Sequence, residues 1–372
     1  MLIPTSEPVL KGNEKKYVLE CFKSNWISAN GPFTKKLEKK FAKFIGTKYA
    51  VCCSNGTSAI HLALIALGIG KGDEVIIPDF TIICSASMTI LAGAKPVLVD
   101  VDKYWCIDPD KIEEKITPRT KAIMVVHMYG NPANMKKIMK IARKHKLFVI
   151  EDACAAHGAE VDGQKIGSIG DIGCFSFYAS KNITSGEGGM VVTNKKEIAD
   201  KVNLLKSHGF ERPRFIHRII GFNYRMTDIQ SAIALAQLEN IRHKISKRRE
   251  IASYYIRLLK NRSEVEIHQE PPWGKSVFWM FGVIIKDSFG RTRDEIIELL
   301  WKKGIGTERF FLPMSEQPIF RNERDPRYPD IKGSFPVSDA LGKQGLYIPS
   351  GLNLTKKEQK YIADTLMSLI KK

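Results

Sequence analysis

The sequence lacks long hydrophobic runs, paired cysteines and the pattern of a signal peptide. No apolar stretch among its 372 residues approaches the roughly 18 residues that a membrane-spanning helix requires. The seven cysteines include no Cys-x-x-Cys pair, so we predict neither a disulfide framework nor a metal site. The start, MLIPTSEPVLKGNEKK, does not show the order of charged, apolar and small residues that marks a secretory leader. We therefore expect a cytoplasmic protein that does not associate with a membrane.

Acidic residues are few relative to basic ones, since 58 Lys and Arg against 40 Asp and Glu give a formal charge of +18. Clustered Lys and Arg attract phosphates, so such an excess raises the question of nucleic-acid binding. The basic runs KKLEKKFAK, KKIMKIARKHK and KISKRR interleave their charges with apolar residues at helical spacing. This pattern predicts solvated helix faces and no nucleic-acid partner, while the positive field suits a substrate that carries a diphosphate.

Apolar runs and helical patterns alternate as far as residue 207. The segments predicted as strands are residues 75–78, 96–100, 122–127, 147–150 and 173–177, and those predicted as helices are residues 12–21, 32–45, 59–67, 83–91, 108–116, 135–145 and 195–207. This alternation predicts an α/β fold with a mostly parallel central sheet and helices on both faces. No Gly-x-Gly-x-x-Gly follows any of these strands, so the main signal for nicotinamide binding is absent.

The C-terminal part of the chain shows a different order of elements. Residues 228–259 predict one long helix, and residues 262–275, which include a Pro-Pro pair, indicate a linker. A strand at 277–285, a helix at 293–303 and a final helix after Thr355 follow. With 372 residues, 44% of them apolar, the chain predicts a large domain at residues 1–250 and a smaller α+β domain at residues 251–372.

The stretch of residues 151–189 carries the strongest chemical signal. A predicted strand ends just before Asp152, at the edge where open α/β sheets bind their ligands. A second strand places Ser176 just before a loop that contains Lys181, and three closely spaced glycines then allow a tight turn. The stretch therefore contains a carboxylate, a hydroxyl and an amine close together along the chain.

These three groups match the needs of pyridoxal 5'-phosphate. That cofactor needs a lysine amine to hold its aldehyde as a Schiff base, a carboxylate to keep its pyridine nitrogen protonated, and donors for its phosphate. Taken alone, Lys181 would be one of many solvated lysines and Asp152 a helix N-cap. Their combination indicates a pyridoxal phosphate site.

Residues 52–58 offer a place for the phosphate. Gly56, Thr57 and Ser58 open the predicted helix at 59–67, and a helix N-terminus with free N–H groups and hydroxyls binds anions. The alternative is ordinary helix capping by Thr57 and Ser58. The local sequence leaves both interpretations open.

Several motifs together resemble one known family. They are SNGTSAIHLAL at 54–64, GDEVIIPDFT at 72–81, IEDACAAHGA at 150–159, SFYASKNITSGEGGMVVT at 176–193 and GFNYRM at 221–226. In this order they are similar to the DegT/DnrJ/EryC1/StrS sugar aminotransferases, which are fold-type I pyridoxal phosphate enzymes. The resemblance covers most of the chain, and it implies an aminotransferase that acts on nucleotide-linked keto sugars.

The resemblance also implies a role for individual residues. Lys181 binds the cofactor and moves a proton between substrate and cofactor, and Asp152 pairs with the pyridine nitrogen. The residues implied to bind the phosphate are Gly56, Thr57, Ser58 and Ser176, together with Asn223 from a neighbouring subunit. A homodimer with shared active sites is therefore expected.

Two positions depart from the family pattern. The family usually has an aromatic residue on the cofactor ring where this chain has Ile82, so either Ile82 or Phe80 is expected to cover the ring. Three residues after the aspartate the family commonly has Gln, His or Glu, whereas this chain has Ala155. His157, two positions further on, is the alternative near the phenolic oxygen of the cofactor.

The segment FFLPM at 310–314 points to a substrate. It resembles a segment of the perosamine synthases within the same family, although Glu308 and Arg309 stand where those enzymes often have Arg-Pro. The resemblance implies L-glutamate as amino donor, GDP-4-keto-6-deoxymannose as acceptor, and a role in surface polysaccharide or glycan synthesis. Three alternatives stay open: a UDP- or dTDP-linked 3- or 4-keto sugar, a sugar dehydratase with the same cofactor, which the lysine argues against, and a non-catalytic sensor or nucleic-acid-binding protein.

Overall fold

The computed structural model describes residues 2–211, 213, 215–321 and 325–371. The strands are β1 (Tyr49–Cys53), β2 (Glu74–Pro78), β3 (Lys95–Val99), β4 (Thr120–Val126), β5 (Phe148–Asp152), β6 (Glu160–Val161), β7 (Gln164–Lys165), β8 (Ile172–Ser176), β9 (Gly189–Thr193), β10 (Val265–Ile267), β11 (Gly274–Lys275), β12 (Phe281–Ile285), β13 (Glu308–Arg309) and β14 (Gly345–Ile348). The α-helices are α1 (Glu14–Lys23), α2 (Pro32–Ile45), α3 (Gly56–Ala66), α4 (Cys84–Leu91), α5 (Met135–His145), α6 (Lys196–Leu205), α7 (Asp228–Glu239), α8 (Ile241–Leu259), α9 (Arg293–Lys302), α10 (Pro336–Gln344) and α11 (Lys356–Ser368). None of these helices combines the length and apolar character needed to span a bilayer.

A seven-stranded sheet with the order β1-β9-β8-β5-β4-β2-β3 forms the centre of the fold. Strand β9 pairs antiparallel with β1 and β8, and the other neighbours pair in parallel. Successive residues of β4 face opposite sides, since Ile123 packs into one apolar cluster and Ala122 and Met124 into the other. Both faces are thus covered, and the predicted α/β fold with a mostly parallel sheet is confirmed.

Some predicted elements differ from those observed. Residues 108–116 form two short 3₁₀ turns, Pro109–Lys111 and Glu113–Lys115, because the Asp108 side chain caps the first turn at the Asp110 N–H. The predicted helix at 228–259 is broken at Asn240, whose φ of −103° and ψ of 7° are not helical. The strand predicted from residue 277 begins four residues later, since Phe278 has a φ of 45°.

The C-terminal part forms a four-stranded antiparallel sheet with the order β10-β12-β14-β13. Its apolar core contains buried residues from Ile251 to Leu366, supplied in part by α8, α9 and α11. Residues 262–275, expected to be a linker, contain β10 and β11. Near the N-terminus, Ile3 pairs with Ile305 and packs against the same core. The boundary between residues 250 and 251 stays a prediction, and it lies inside α8.

The end of β5 is held by a buried carboxylate. Glu151 is fully buried, and its two oxygens accept N–H donors from Gly167, Ile169 and Gly170 at 2.6–2.8 Å. His127 takes an N–H from Ala133 on Nδ1, so its Nε2–H donates to Glu151 over 3.2 Å. These bonds join the turn before β8 to β5 and thereby fix the position of the next residue, Asp152.

We predict that Glu151→Gln lowers the free energy of unfolding by about 2–3 kcal/mol, because the amide turns one acceptor into a donor among buried donors. Urea unfolding of the cofactor-free protein measures this change. Glu113→Gln is the matched control, since the Glu113 side chain is 46% exposed and its ion pairs should contribute no more than about 1 kcal/mol. Equal losses in the two variants would show that the buried bonds are not responsible.

Candidate active site

A cavity of about 620 Å³ lies at the carboxyl ends of the parallel strands. It is also bounded by the start of α3 and by segments next to the small-domain sheet. Six of the eight residues predicted from the sequence line it: Gly56, Thr57, Ile82, Asp152, Ser176 and Lys181. Ser58 and Asn223 do not belong to its wall.

Asp152 is the last residue of β5 and is 2% exposed. Its Oδ1 accepts the N–H of Cys154 over 3.0 Å, which restricts the rotation of the carboxylate. Parallel neighbours on both sides, β4 and β8, hold the strand end in place. A buried carboxylate fixed in this way can accept a hydrogen bond from a ligand without first reorganising.

Lys181 lies in the loop after β8, and its N–H donates to the Tyr178 carbonyl over 2.9 Å. The side-chain Nζ lies 3.4 Å from the centroid of the Trp279 ring. Burial lowers the pKa of the amine, while the nearby Cys154 and Asp152 oppose this shift. A lowered pKa increases the fraction of neutral amine, which is the nucleophilic form.

The N-cap of α3 is Asn55, and Ser58 completes a capping box with it, so the capping alternative holds for Ser58. The Asn55 side chain accepts the Ser58 N–H over 2.7 Å, and the Ser58 Oγ accepts the Asn55 N–H over 3.1 Å. Ser58 Oγ also donates to the Asn55 carbonyl over 2.8 Å. The hydroxyl of Ser58 is therefore engaged inside this capping box, so Gly56 and Thr57 are the members of the turn that reach the cavity.

Gly56 is required by close packing. A Cβ at this position would lie 2.8 Å from the Cys154 Sγ and 2.8 Å from the Ser176 Cβ. Because Gly56 is the first residue of α3, a side chain here would also fill space at the helix N-terminus. The absence of a side chain lets Cys154 and Ser176 pack directly against the start of α3, which places the Ser176 hydroxyl beside the helix N-terminus.

The structure distinguishes between the two residues expected near the ring. Phe80 is fully buried and packs on Tyr129 and Phe310, with ring centroids 6.2 and 5.8 Å apart. It does not reach the cavity, whereas Ile82 is 44% exposed and lines it. Ile82 is therefore the member of the pair placed to cover a bound ring.

His157 does not take the place left open at Ala155. Ala155 lines the cavity, but His157 is fully buried behind it, with its ring 5.4 Å from Phe175 and 5.9 Å from Phe177. Burial lowers the pKa of His157 to about 3, so the imidazole is neutral at physiological pH. It acts as part of an aromatic cluster.

Asn223 is exposed and lies outside the cavity of its own chain. Its Oδ1 accepts the Arg225 Nε–H over 2.9 Å, which leaves the amide N–H₂ as a donor for other groups. Its predicted contact with a phosphate would therefore have to be made in another subunit. That role stays a prediction.

Residues from distant segments complete the cavity wall, and sequence reasoning missed them. Tyr129 has a φ of 50° and stacks on Phe311 at 5.5 Å, and Trp279 precedes β12. Only FFLPM at 310–314 gave a local signal for this side of the cavity. In the described part of the chain, no group of three or more His, Cys, Asp or Glu is arranged to hold a metal ion.

Comparison with known proteins identifies the family. Residues 8–367 match the DegT/DnrJ/EryC1/StrS aminotransferase family. The chain belongs to this family. It is 44% identical over 359 residues to a GDP-perosamine synthase of Caulobacter vibrioides, covering 96% of this chain and 95% of that one. It is 41% identical over 366 residues to a GDP-perosamine synthase of Escherichia coli O157:H7, covering 98% and 97%.

Solved structures agree with this assignment. Helicobacter pylori PseC, an aminotransferase involved in the biosynthesis of pseudoaminic acid, superposes with a TM-score of 0.93 at 27% identity, covering 100% of this chain and 99% of that one. The predicted family, the fold-type I aminotransferase fold and the enzyme class, a sugar-nucleotide aminotransferase, are confirmed. Family membership implies pyridoxal 5'-phosphate as the cofactor. The roles of individual residues remain predictions.

We predict that Ser58→Ala lowers the free energy of unfolding by about 1 kcal/mol, because it removes half of the capping box. Cofactor affinity should stay within about twofold, since this hydroxyl does not face the cavity, whereas Ser176→Ala should weaken pyridoxal phosphate binding by about tenfold. Urea unfolding and equilibrium cofactor binding separate the two effects. A tenfold loss of cofactor affinity in Ser58→Ala would contradict this expectation and would indicate that Ser58 binds the phosphate.

Proposed function

We propose that this protein transfers the amino group of L-glutamate to the keto carbon of a GDP-linked 4-keto-6-deoxy sugar. The substrate we favour is GDP-4-keto-6-deoxymannose, which would give GDP-perosamine for surface polysaccharide or glycan synthesis. The observation that carries the reaction class is the convergence of Lys181, Asp152 and the α3 turn in one cavity. The choice of sugar rests on the two GDP-perosamine synthases that share 44% and 41% of its residues.

The residues present fit pyridoxal 5'-phosphate. The cavity of about 620 Å³ has a buried carboxylate at one strand end, an amine in the adjoining loop and a helix N-terminus without a side chain at its first residue. A phosphate at that terminus would meet backbone N–H groups and the positive end of the helix dipole. When bound, the cofactor supplies an electron sink for the carbon that exchanges its amino group.

The residues that line the cavity then have distinct tasks. Asp152 keeps the ring nitrogen protonated, because an ionised carboxylate favours the charged pyridinium. Gly56, Thr57 and Ser176 hold the phosphate, so the ring keeps its place while its covalent partner changes. Lys181, whose pKa is lowered by burial, both attacks as a neutral amine and carries the proton at the reacting carbon. Ile82 excludes water from one face of the ring.

The place of Asn223 supports a homodimer with shared sites. This residue is exposed, lies outside the cavity of its own chain and keeps a free amide donor. A contact with the phosphate of a second copy would use that donor and would make both chains necessary for one complete site.

The function is tested by an amine-transfer assay with pyridoxal phosphate, L-glutamate and either GDP-4-keto-6-deoxymannose or a UDP-linked 4-keto sugar. We expect amination of the GDP sugar and a loss of at least about 10³-fold in Lys181→Ala, because both the covalent step and the proton transfer depend on this amine. Lys195→Ala is the control, as that lysine is 45% exposed and pairs with Asp171. Amination of the UDP sugar alone would contradict the proposed substrate. A failure to aminate either sugar would contradict the proposed function.

The shared site is tested by mixing two inactive variants. Lys181→Ala and Asn223→Asp, unfolded and refolded together, should recover about one quarter of the wild-type activity, because half of the dimers would carry one intact site of two. Each variant refolded alone should stay inactive. If Asn223 served its own chain, no mixed dimer would have an intact site and the mixture would stay inactive as well.

A further inference from the structure

Trp279 is held between the two domains by backbone contacts. Its segment approaches Gly130 so closely that a Cβ on that glycine would lie 2.8 Å from the Trp279 nitrogen and 2.9 Å from the Phe278 nitrogen. The Gly130 carbonyl accepts the Val277 N–H over 3.1 Å and the Ser276 hydroxyl over 3.0 Å. The Trp279 side chain is 7% exposed and lines the cavity. Its ring is thus fixed before any ligand binds.

This ring contacts the lysine loop at two points. The indole Nε1–H donates to the Ser180 carbonyl over 2.7 Å, which fixes the residue before the lysine. The Nζ of Lys181 lies over the face of the ring, 3.4 Å from its centroid. Tryptophan has the most strongly negative ring face among the aromatic side chains, so it attracts an ammonium group at such a distance. One side chain therefore holds both the backbone and the amine.

We propose that the Trp279 ring is the docking place of the Lys181 ammonium whenever that amine is not bonded to the cofactor. The inference rests on the proposed function, in which Lys181 binds pyridoxal phosphate. Attachment joins the neutral lysine nitrogen to the aldehyde carbon and releases water, so the docked ammonium first gives one proton to solvent. A substrate amine that displaced the lysine would release it as a neutral amine, and once that amine had taken the proton from the substrate carbon, the resulting ammonium would dock on the ring. Trp279 is thus a positioning residue for Lys181.

Other titratable groups lie around this amine or along the cavity. These groups are the side chains of Asp152, Cys154, Cys84, His157, Glu187, Glu308, Tyr129, Tyr178 and Tyr347. Burial lowers the lysine pKa, and Cys154, Asp152 and Cys84 raise it in part. The ring of Trp279, which does not titrate, adds a further preference for the charged form because its face contacts the ammonium.

The inference is tested in cofactor-free protein by reductive methylation with formaldehyde over a range of pH. Only the neutral amine reacts, so the labelling rate of the Lys181 peptide, followed by mass spectrometry, reports the protonation midpoint of this lysine. Trp279→Leu keeps the site apolar but removes the ring face, and it should lower the midpoint by about one pH unit. Trp279→Phe keeps an aromatic face and should restore most of that shift.

Trp273→Phe is the matched control. Trp273 also donates its indole N–H to a backbone carbonyl, that of Pro132 over 3.0 Å, but it does not line the cavity. Its replacement should leave the midpoint of Lys181 unchanged. If the Leu variant does not fold, Trp279→Met replaces it, because methionine adapts to irregular apolar sites.

An unchanged midpoint in the Leu or Met variant would overturn the role of Trp279, as would an equal shift in Trp279→Phe. Since the experiment contains no cofactor, such a result would leave the proposed function untouched. Conversely, a protein that never binds pyridoxal phosphate through Lys181 would refute the function even if the midpoint shifts as expected.

Discussion

The site depends on the alternation of two acidic residues at the end of β5. Because successive side chains of a strand point to opposite faces, Glu151 is directed toward the turn before β8, where it accepts three backbone N–H groups, and Asp152 is directed toward the cavity. The first carboxylate fixes the backbone that presents the second. A shift by one residue would direct Glu151 away from the N–H groups that it binds and Asp152 away from the cavity.

The remaining groups of the site come from elements that adjoin β5 or face it. Strand β8 pairs with β5 and places Ser176 beside the first residue of α3, while the loop after β8 brings Lys181 into the cavity wall. Trp279, two residues before β12 of the four-stranded antiparallel sheet, lies over the amine. The cavity therefore combines the ends of a parallel sheet with a wall supplied by the C-terminal part of the chain.

The sequence could predict the site residues that lie close together along the chain. Asp152, Ser176 and Lys181 stand within one short stretch, so strand ends and loop chemistry were enough to bring them together. The family resemblance implied Ser58 as a phosphate ligand, whereas the structure places its hydroxyl in a capping box with Asn55. The choice between Phe80 and Ile82 needed the burial of each side chain, which only the packed structure provides.

Trp279 and Tyr129 could not be predicted from the sequence, for a different reason. Trp279 meets the lysine loop, and Tyr129 meets Trp279 and Phe311, through contacts between segments far apart in sequence. The backbone there includes positive φ angles at Tyr129 and Phe278 that no local pattern indicates. Likewise the break at Asn240 interrupts a helical pattern whose apolar spacing continues on both sides. Fold class and cofactor chemistry were therefore predictable, whereas the wall that faces the substrate required the tertiary structure.

The central claim is that Lys181 is the residue that holds pyridoxal phosphate. The most direct measurement is borohydride reduction of the cofactor-treated protein followed by peptide mapping by mass spectrometry. Lys244 is an informative competitor, because it is also buried and its pKa is lowered to about 8. We expect one pyridoxyl group per chain, located on Lys181 and lost in Lys181→Ala. A label on Lys244 or spread over surface lysines, unchanged by that substitution, would contradict the assignment.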